Sequence, residues 1–418
     1  MNNTKYWFYI EPYCHVSVTT NKVMVINTFN KEKIANSSSK VIELIKRSEE
    51  KEQFKVHELS EEQLKQKEIN AFVNQLRSTF SGDIIPQNFS KEKPVQILPE
   101  PIFLNGRLKF LNKKSKGVNN VYPWIREISI DFGGNKSLST PFDIDLCKQL
   151  LFLDKRNTQT LDLDSIKPFI DDILAKNSFC TFRLTGNSLY NSDYIKKVKD
   201  IFKEHDNRVC IQFYYQKLVE LINSNQINFL DSICPRADIF IDKSTAWENV
   251  TQIHQLLQKY EIDTLFTFII ENEGCLTRYE EVSTNNPDAI INVQPIYTGN
   301  NIEFLREHVF LNEDDIIGGL DPIKEIHLRK YINQNFFGKL HINALGKIYA
   351  NINFEPLGNI KHHSIHDIIN KELTERNTWR MIRNQKPCSE CVYQYLCPSP
   401  SEIEINSKQS NLCNVDLN

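Results

Sequence analysis

The run Glu127-Ile128-Ser129-Ile130-Asp131-Phe132 is the first of six apolar, strand-like runs in the middle of the chain. The others lie at 179–184, 209–214, 239–242, 265–270 and 290–295, so from the second run onward they recur about every 25–30 residues. Helical patterns lie between them at 166–174, 194–202 and 247–260. Strand–helix repeats of this length are βα units that build a parallel sheet. The middle of the chain is therefore predicted to be α/β, as a partial (β/α)6 barrel or an open doubly wound sheet.

The flanking segments predict two further units in the 418-residue chain. Residues 1–88 predict a small α/β unit with a hairpin at 15–26, a capping box at Ser60-Glu61-Glu62-Gln63 and a helix at 69–80 that Gly82 ends. Residues 89–122 are rich in Lys, Pro and Asn, and predict a linker with a turn at Asn105-Gly106. Residues 123–335 hold the βα repeats. Residues 336–418 predict a hairpin, a helix at 364–373 and a cysteine-rich end.

Composition and charge argue against several classes of function. The net charge is −3, so no positive field points to nucleic acid or to an anionic membrane. No run of about 18 apolar residues is present to span a bilayer, and the first residues contain no apolar segment of a signal peptide. We expect a cytoplasmic protein with no nucleic-acid or membrane partner.

Four of the ten cysteines crowd into the C-terminal end of the chain, as Cys388, Cys391, Cys397 and Cys413. Two thiolates separated by two residues can grip one metal from a single turn, and two more complete a set of four ligands. The spacing therefore predicts a metal centre, and it leaves zinc and an iron–sulfur cluster open. The other six are scattered and are expected to be small buried hydrophobic residues: Cys14, Cys147, Cys180, Cys210, Cys234 and Cys275.

The run Pro387-Cys388-Ser389-Glu390-Cys391-Val392-Tyr393-Gln394-Tyr395-Leu396-Cys397-Pro398 resembles the SPASM extension of radical SAM peptide maturases. That extension usually carries two auxiliary [4Fe–4S] clusters. Its pattern continues with a Cys four residues after the third one, and it has a Gly-x4-Cys in the preceding hairpin. This chain has Ser401 at the first of these positions, and Asn351 five positions after Gly346 at the second. The resemblance therefore implies one [4Fe–4S] cluster, held by Cys388, Cys391, Cys397 and Cys413.

The same family places its catalytic centre after the first strand of the βα region, and there this chain departs from it. The family needs Cys-x3-Cys-x2-Cys in that loop, whereas the loop here begins Gly133-Gly134-Asn135-Lys136-Ser137 and the motif occurs nowhere in the chain. The Gly-Gly-Glu-type turn after the second strand is replaced by Gly186-Asn187-Ser188. The arrangement resembles the pseudo-radical-SAM proteins of Bacteroidales-type peptide-modification systems. That resemblance implies no bound S-adenosylmethionine, and as partners a ribosomally made precursor peptide and an active radical SAM maturase.

The N-terminal unit resembles the winged-helix recognition element of peptide-modifying pathways, typified by the small peptide chaperone of pyrroloquinoline quinone biosynthesis. In that family a leader peptide adds a strand to a sheet edge and packs on the last helix. The matching surfaces here are the strand at 23–27 and the helix at 69–80. The candidate peptide-binding residues are Val23, Val25, Asn27, Phe72 and Leu76. The alternative is a winged unit that packs only on its own chain.

These features together predict a non-catalytic accessory or scaffold protein in ribosomal peptide maturation. Its expected parts are a winged-helix-like peptide-recognition domain at 1–88, a linker at 89–122, a degenerate partial (β/α)6 barrel at 123–335 and a SPASM-like metal-binding domain at 336–418. Two alternatives stay open. One is an enzyme with an altered nucleotide or S-adenosylmethionine site at Gly133-Gly134, and the other is a zinc-stabilised interaction protein.

Overall fold

The computed structural model describes residues 5–50, 55–90, 92–94, 121–134, 148–150, 159–203, 208–224 and 236–415. The strands in these ranges are β1 (Lys5–Ile10), β2 (Cys14–Val18), β3 (Val23–Asn27), β4 (Lys33–Asn36), β5 (Val56–Ser60), β6 (Gly82–Pro86), β7 (Glu127–Asp131), β8 (Thr181–Thr185), β9 (Val209–Tyr214), β10 (Arg236–Ile241), β11 (Asp263–Ile270), β12 (Ile290–Pro295), β13 (Lys339–Ile342), β14 (Lys347–Tyr349) and β15 (Gly358–Asn359). The α-helices are α1 (Ser39–Ser48), α2 (Glu61–Leu64), α3 (Lys67–Ser78), α4 (Leu163–Lys176), α5 (Ser192–Phe202), α6 (Tyr215–Asn223), α7 (Trp247–Lys259), α8 (Glu273–Asn285), α9 (Ile302–His308), α10 (Glu313–Gly318), α11 (Ile323–Arg329), α12 (Ile365–Thr374) and α13 (Glu402–Ser407).

A nine-stranded sheet in the order β12-β11-β10-β9-β8-β7-β13-β14-β15 forms the body of the described chain. Neighbouring strands from β12 to β13 are parallel, and β14 and β15 add to them antiparallel. Each of the six predicted runs forms a strand, and helices α4 to α8 connect them in turn. The prediction of a mixed α/β protein with a large, mostly parallel sheet is confirmed. Because β13 pairs with β7, this sheet continues across the expected domain boundary at 335–336, and the domain division stays a prediction.

The two faces of strands β7 to β11 differ in chemistry. Successive side chains on a strand point to opposite faces, and one set forms a single apolar cluster with helices α4 to α8: Ile128, Phe182, Ile211, Ile239 and Phe266. The opposite face includes a group of buried polar side chains: Ser129, Asp131, Thr185, Gln212 and Asp238. Arg183 bridges two acids on this face, with its Nε 2.8 Å from Glu127 Oε2 and its Nη1 paired with Asp238. The helices therefore cover one face, and a paired charge network lies on the other.

Two three-stranded sheets make up the N-terminal unit, in the orders β5-β1-β6 and β2-β3-β4. The predicted hairpin is present as β2 and β3, with Val18 opposite Val23 across the turn. The predicted capping box is present too, since the Gln63 N–H donates to Ser60 Oγ at 3.1 Å and the Ser60 N–H donates to Gln63 Oε1 at 3.0 Å. Helices α1 and α3 pack on one face of β2-β3-β4.

The position of the five candidate peptide-binding residues is wrong for strand addition. β3 is the central strand of its sheet, paired with β2 on one edge and with β4 on the other, so an added strand has no edge to join. Four of the residues are fully buried between that sheet and its helices: Val23, Val25, Phe72 and Leu76. The fifth, Asn27, donates from Nδ2 to the carbonyl oxygen of Thr79 at 3.0 Å. All five therefore stabilise the unit itself. The four apolar residues belong to its hydrophobic core, and Asn27 contributes a hydrogen bond.

The end of α3 also differs from the prediction. The helix ends at Ser78, Phe80 follows with a φ of 55° and a side chain that is 75% exposed, and Gly82 opens β6. A Cβ at Gly82 would lie 2.5 Å from the carbonyl oxygen of Tyr9. Gly82 is therefore required by the close approach of β6 to β1, and it does not end the helix.

The other face of β3 joins the two ends of the chain. Met24 and Ile26 are fully buried in a cluster with five residues from the C-terminal half: Ile316, Ile326, Val392, Tyr393 and Leu396. At the rim, Lys31 Nζ donates to the carbonyl oxygen of Gly318 at 2.7 Å. The sheet β2-β3-β4 is thus covered on both faces, and the cysteine-rich segment rests on one of them.

Several expectations fall outside the described residues. They include most of the expected linker, with the turn at Asn105-Gly106, and two of the scattered cysteines, Cys147 and Cys234. The other scattered cysteines are buried as predicted: Cys14, Cys180, Cys210 and Cys275. Among the described helices, none combines the length and the apolar character that crossing a bilayer needs.

Truncation of Ile26 is expected to weaken the contact between the two ends of the chain. Ile26→Ala removes buried methyl groups at that contact, so the free energy of unfolding in urea should fall by about 2–4 kcal/mol. Phe89→Ala is the control, because Phe89 is 79% exposed, and it should change the value by less than about 0.5 kcal/mol. Equal effects of the two variants would contradict the buried contact.

Candidate metal centre

Two short backbone features bring the four C-terminal cysteines together. Cys388 opens a 3-10 turn, Cys388–Glu390, and Cys391 follows that turn directly. Cys413 arrives from the other side through a bridge with Leu311: the Leu311 N–H donates to the Leu412 carbonyl at 3.1 Å, and the Asn414 N–H donates to the Leu311 carbonyl at 2.9 Å. The four thiols then line one small cavity.

The residues between Cys391 and Cys397 explain why the loop folds locally as it does. Val392, Tyr393 and Leu396 are buried in the cluster that includes β3, while the cysteines at either end are half-buried. The Cys397 N–H donates to the Tyr393 carbonyl at 3.0 Å and closes the turn. Apolar burial therefore fixes the loop and leaves its thiols facing the shared cavity.

Backbone N–H groups donate to two of the four sulfurs. The Tyr393 nitrogen lies 3.3 Å from Cys391 Sγ, and the Val415 nitrogen lies 3.2 Å from Cys413 Sγ. In both cases the donor is two residues beyond the cysteine. Such a bond stabilises negative charge on sulfur, and a metal binds the thiolate form. The donor set therefore fits a metal centre held by thiolates.

The spacing of the sulfurs bears on which metal fits. No three cysteine sulfurs in the described part of the chain lie within 4.8 Å of one another. A tetrahedral zinc ion with Zn–S bonds of about 2.3 Å places its four sulfurs only ~3.8 Å apart. A cluster binds each thiolate through a different iron atom, so it accepts a wider spread. The four sulfurs are therefore more widely spread here than the ligands of a bound zinc ion.

Burial opposes ionisation of the thiols when no metal is bound. It raises the pKa of Cys388 and of Cys391, and it raises the pKa of Cys397 to about 12. The positive charge of Arg383 lowers the pKa of Cys388 and Cys397 in part. Full ionisation therefore needs the larger charge of a metal ion, which favours thiolate over thiol.

Two buried arginines hold the backbone on either side of Cys397. Arg329 donates from Nη1 to the Leu396 carbonyl at 2.8 Å, and Arg383 donates from Nε to the Pro398 carbonyl at 2.5 Å. Arg383 also lies against the centre, with Nη1 3.9 Å from Cys388 Sγ.

The guanidinium of Arg383 is held in place by a buried ion pair with Glu404. Its Nη1 is 2.6 Å from Glu404 Oε1, and the two side chains are only 8% and 5% exposed. Buried charges are tolerated when they are paired. The pair therefore keeps one positive charge beside the thiols.

The two positions that carry cysteine in the SPASM pattern lie close together here, in a polar network. Asn351 donates from Nδ2 to Glu402 Oε1 at 2.5 Å, and Asn353 donates to Glu402 Oε2 at 2.8 Å. Ser401, next to Glu402, is the N-cap of α13. Burial raises the pKa of Glu402 to about 7. Hydrogen bonds to Glu402 therefore connect the segment of Asn351 with the segment of Ser401. Neither position has a thiol in this chain.

The turn after β7 is closed by hydrogen bonds from its two glycine amides. The Gly133 N–H donates to Asp131 Oδ1 at 2.8 Å, and the Gly134 N–H donates to the Gln159 carbonyl at 3.2 Å. A Cβ at Gly133, whose φ is +68°, would lie 1.9 Å from the Gln159 oxygen. Both amides are engaged within the chain, so the turn does not offer them to a phosphate group.

Sequence reasoning found the four thiols and missed the charged residues around them. Arg383 lies five positions before Cys388, and this closeness in sequence could have indicated a role at the metal centre. Nothing in the sequence indicated that Arg383 pairs with Glu404. Arg329 lies far from the cysteines in the sequence and gave no signal. The predicted peptide-binding residues are not part of this site.

Loss of one thiolate is expected to abolish metal binding. Protein purified without oxygen should contain about four irons and four sulfides and absorb in the visible range. Cys388→Ala and Cys391→Ala should lose the metal and the colour, since each removes one of four ligands. Cys275→Ala removes a buried thiol elsewhere and should keep both. A metal content that is unchanged in the first two variants would rule out the centre.

Comparison with known proteins gives only a distant likeness. No protein-family model matches the chain, and no curated protein matches it. Three solved structures of SuiB from Streptococcus suis align with 12% identity: SuiB alone (98% of this chain, 99% of that chain, TM-score 0.44), SuiB bound to its precursor peptide SuiA (97% and 98%, 0.42) and SuiB bound to S-adenosylmethionine (98% and 99%, 0.42). At this identity and these TM-scores, the likeness assigns neither a family nor a function.

Proposed function

We propose that this protein is a non-catalytic accessory subunit in the maturation of ribosomally made peptides. It holds one [4Fe–4S] cluster, binds a precursor peptide through its N-terminal unit and docks an active radical SAM maturase. One contrast carries the proposal. Four thiols converge on a cavity at the C-terminal end, whereas the turn after β7, where the resemblance calls for three cluster-binding cysteines, begins with two glycines.

The proposed architecture is a degenerate partial barrel between two smaller units. In a doubly wound sheet, helices cover both faces, but here α4 to α8 share one apolar cluster with one face of β7 to β11. That packing supports a partial (β/α)6 barrel at 123–335. The peptide-recognition unit is 1–88, the linker is 89–122 and the SPASM-like unit is 336–418, with β13 to β15 extending the barrel sheet.

The cluster is proposed to have a structural role first. Its four irons would all be ligated by this chain, through Cys388, Cys391, Cys397 and Cys413. A bound cluster would cross-link the two ends of the C-terminal segment through its thiolate ligands. Its second role would be to pass electrons to a partner. Arg383 contributes positive charge beside it, which offsets the negative charge of a thiolate-ligated centre. Stoichiometric zinc and colourless protein would instead favour the zinc-stabilised interaction protein.

The peptide-binding surface is proposed to be the outer edge of β4. In the described part of the chain no strand pairs with that edge. The Asn27 N–H donates to the Glu32 carbonyl at 3.0 Å, and hydrogen-bonded pairs alternate along an antiparallel ladder. The N–H groups of Lys33 and Ala35 therefore point outward, where an added strand would receive them.

A proline at position 35 is expected to block peptide binding without unfolding the unit. Ala35→Pro removes an outward N–H, while the bonds between β4 and β3 use the other residues, and proline is tolerated at a sheet edge. Calorimetry would use any short precursor peptide that the neighbouring genes prove to encode, and its affinity should fall at least tenfold. Ala35→Val, which keeps the N–H, should bind as the unaltered chain does. Equal binding by both variants would place the peptide elsewhere.

The protein is expected neither to bind nor to cleave S-adenosylmethionine. The chain contains no Cys-x3-Cys-x2-Cys to leave an iron open, and the Gly133 and Gly134 amides are engaged internally. Equilibrium dialysis should detect no stoichiometric binding, and addition of a strong reductant should release no 5′-deoxyadenosine. Tight binding would favour the alternative of an enzyme with an altered cofactor site.

A further inference from the structure

A cleft of about 660 Å³ lies beside the cysteine centre. We infer that it binds an acidic peptide segment. The choice of a peptide as the occupant rests on the proposed function, whereas the choice of its charge rests on the lining of the cleft. One wall is formed by residues 376–385 and the other by residues 400–410, with Phe354 beside them. Its volume lies within the range of about 300–1,000 Å³ that is typical of ligand-binding pockets.

Three cationic side chains line the cleft without an acidic partner. Arg376 and Arg380 lie on one wall and Lys408 lies on the other. Arg380 donates only to carbonyl oxygens, at 2.6 Å to that of Leu373 and 3.4 Å to that of Arg376. No carboxylate in the described part of the chain forms an ion pair with any of the three. The lining therefore presents positive charge that its own chain does not neutralise.

The acidic residues near the cleft do not cancel this charge. Glu404 also lines it, but its carboxylate is taken by the buried pair with Arg383. Glu372 lies under the same wall, and burial raises its pKa to about 7, against the influence of Arg380 and Arg376. Its own oxygen accepts the Trp379 N–H at 2.7 Å. The three cations therefore outnumber the one nearby carboxyl that has no ion-pair partner, so an anionic occupant is favoured.

The rest of the lining suits a chain with aliphatic side chains. Met381 and Ile405 are partly buried against the main core, and Phe354 is 37% exposed. These apolar groups lie among the cations, and the cleft is open to solvent. A compact anion needs donors that converge on one point, whereas these cations come from two separate segments of the lining. A peptide that alternates acidic and aliphatic residues matches both features.

The cleft and the cysteine centre share a wall. Arg383 and Ser410 line the cleft, and both contact Cys388 Sγ: Arg383 Nη1 is 3.9 Å away, and the Ser410 carbonyl oxygen is 4.0 Å away. A peptide in the cleft would therefore be separated from the centre by a single layer of protein. Loss of the metal should loosen this wall and weaken peptide binding.

Calorimetry on the full-length, metal-loaded protein tests the inference. The probe is a synthetic eight-residue peptide of alternating glutamate and leucine, with capped ends, and its glutamine counterpart is the neutral control. The acidic probe should bind, and its affinity should fall as salt is raised from low to physiological levels. The glutamine peptide should bind at least tenfold more weakly.

Two neutralising substitutions locate the binding. The double variant Arg376→Gln with Lys408→Asn should weaken the acidic probe at least tenfold. Asparagine is chosen because Lys408 has a φ of 57°, which asparagine tolerates. The matched control, Lys197→Gln with Lys347→Gln, removes two exposed cations elsewhere and should leave affinity unchanged. Visible absorbance of each variant verifies that the centre is intact.

The opposite outcomes overturn the inference. It fails if the acidic probe does not bind, if the glutamine peptide binds equally well, or if the double variant keeps full affinity. Competition by inorganic phosphate at equal concentration would make the cleft a small-anion site. Ala35→Pro separates this inference from the proposed function: it should abolish binding of the precursor to the β4 edge and leave the acidic probe in the cleft unaffected.

Discussion

The parallel pairing of β13 with β7 is the constraint on which the rest of the described structure depends. A parallel strand carries unsatisfied N–H and C=O groups on both edges until it is paired, and β7 has β8 on one side only. β13 takes the other side, with Leu340 beside Ile128 and Ile342 beside Ile130. The chain then continues this sheet through β14 and β15, and the cysteine segment that follows packs on β3 of the N-terminal unit.

That segment is then positioned by two forces of different kinds. Apolar burial anchors it from one side, where Val392, Tyr393 and Leu396 share a cluster with Met24 and Ile26 of β3. Charge anchors it from the other, where buried arginines hold the carbonyls on either side of Cys397. Burial raises the pKa of Cys388, Cys391 and Cys397, so apolar contacts alone would keep these three thiols protonated. The charge of Arg383 and the backbone N–H of Tyr393 offset part of that cost before a metal binds.

The same packing limits where the N-terminal unit can meet a partner. One face of β2-β3-β4 is covered by α1 and α3, and the other by the C-terminal half. Of the sheet β2-β3-β4, the strand edges are therefore what is left for recognition. This explains why a peptide surface on β3 is not available, and why β4 is the edge on which peptide addition is proposed. It also couples that unit to the cysteine centre, through the apolar cluster that Met24 and Ile26 share with the cysteine segment.

Local patterns were sufficient to predict much of this chain. The period of the βα repeats, the hairpin of β2 and β3 and the capping box at Ser60 depend on residues close in sequence, and the spacing of Cys388, Cys391 and Cys397 already implies a shared turn. Other features depend on contacts between distant residues, which no local pattern encodes. Tertiary structure decided that β3 is central and not an edge, that Gly82 serves the approach of β6 to β1, and that Arg383 pairs with Glu404. It also decided that the Gly133-Gly134 turn is closed, because the carbonyl that receives the Gly134 amide comes from Gln159, which is 25 positions further along the chain.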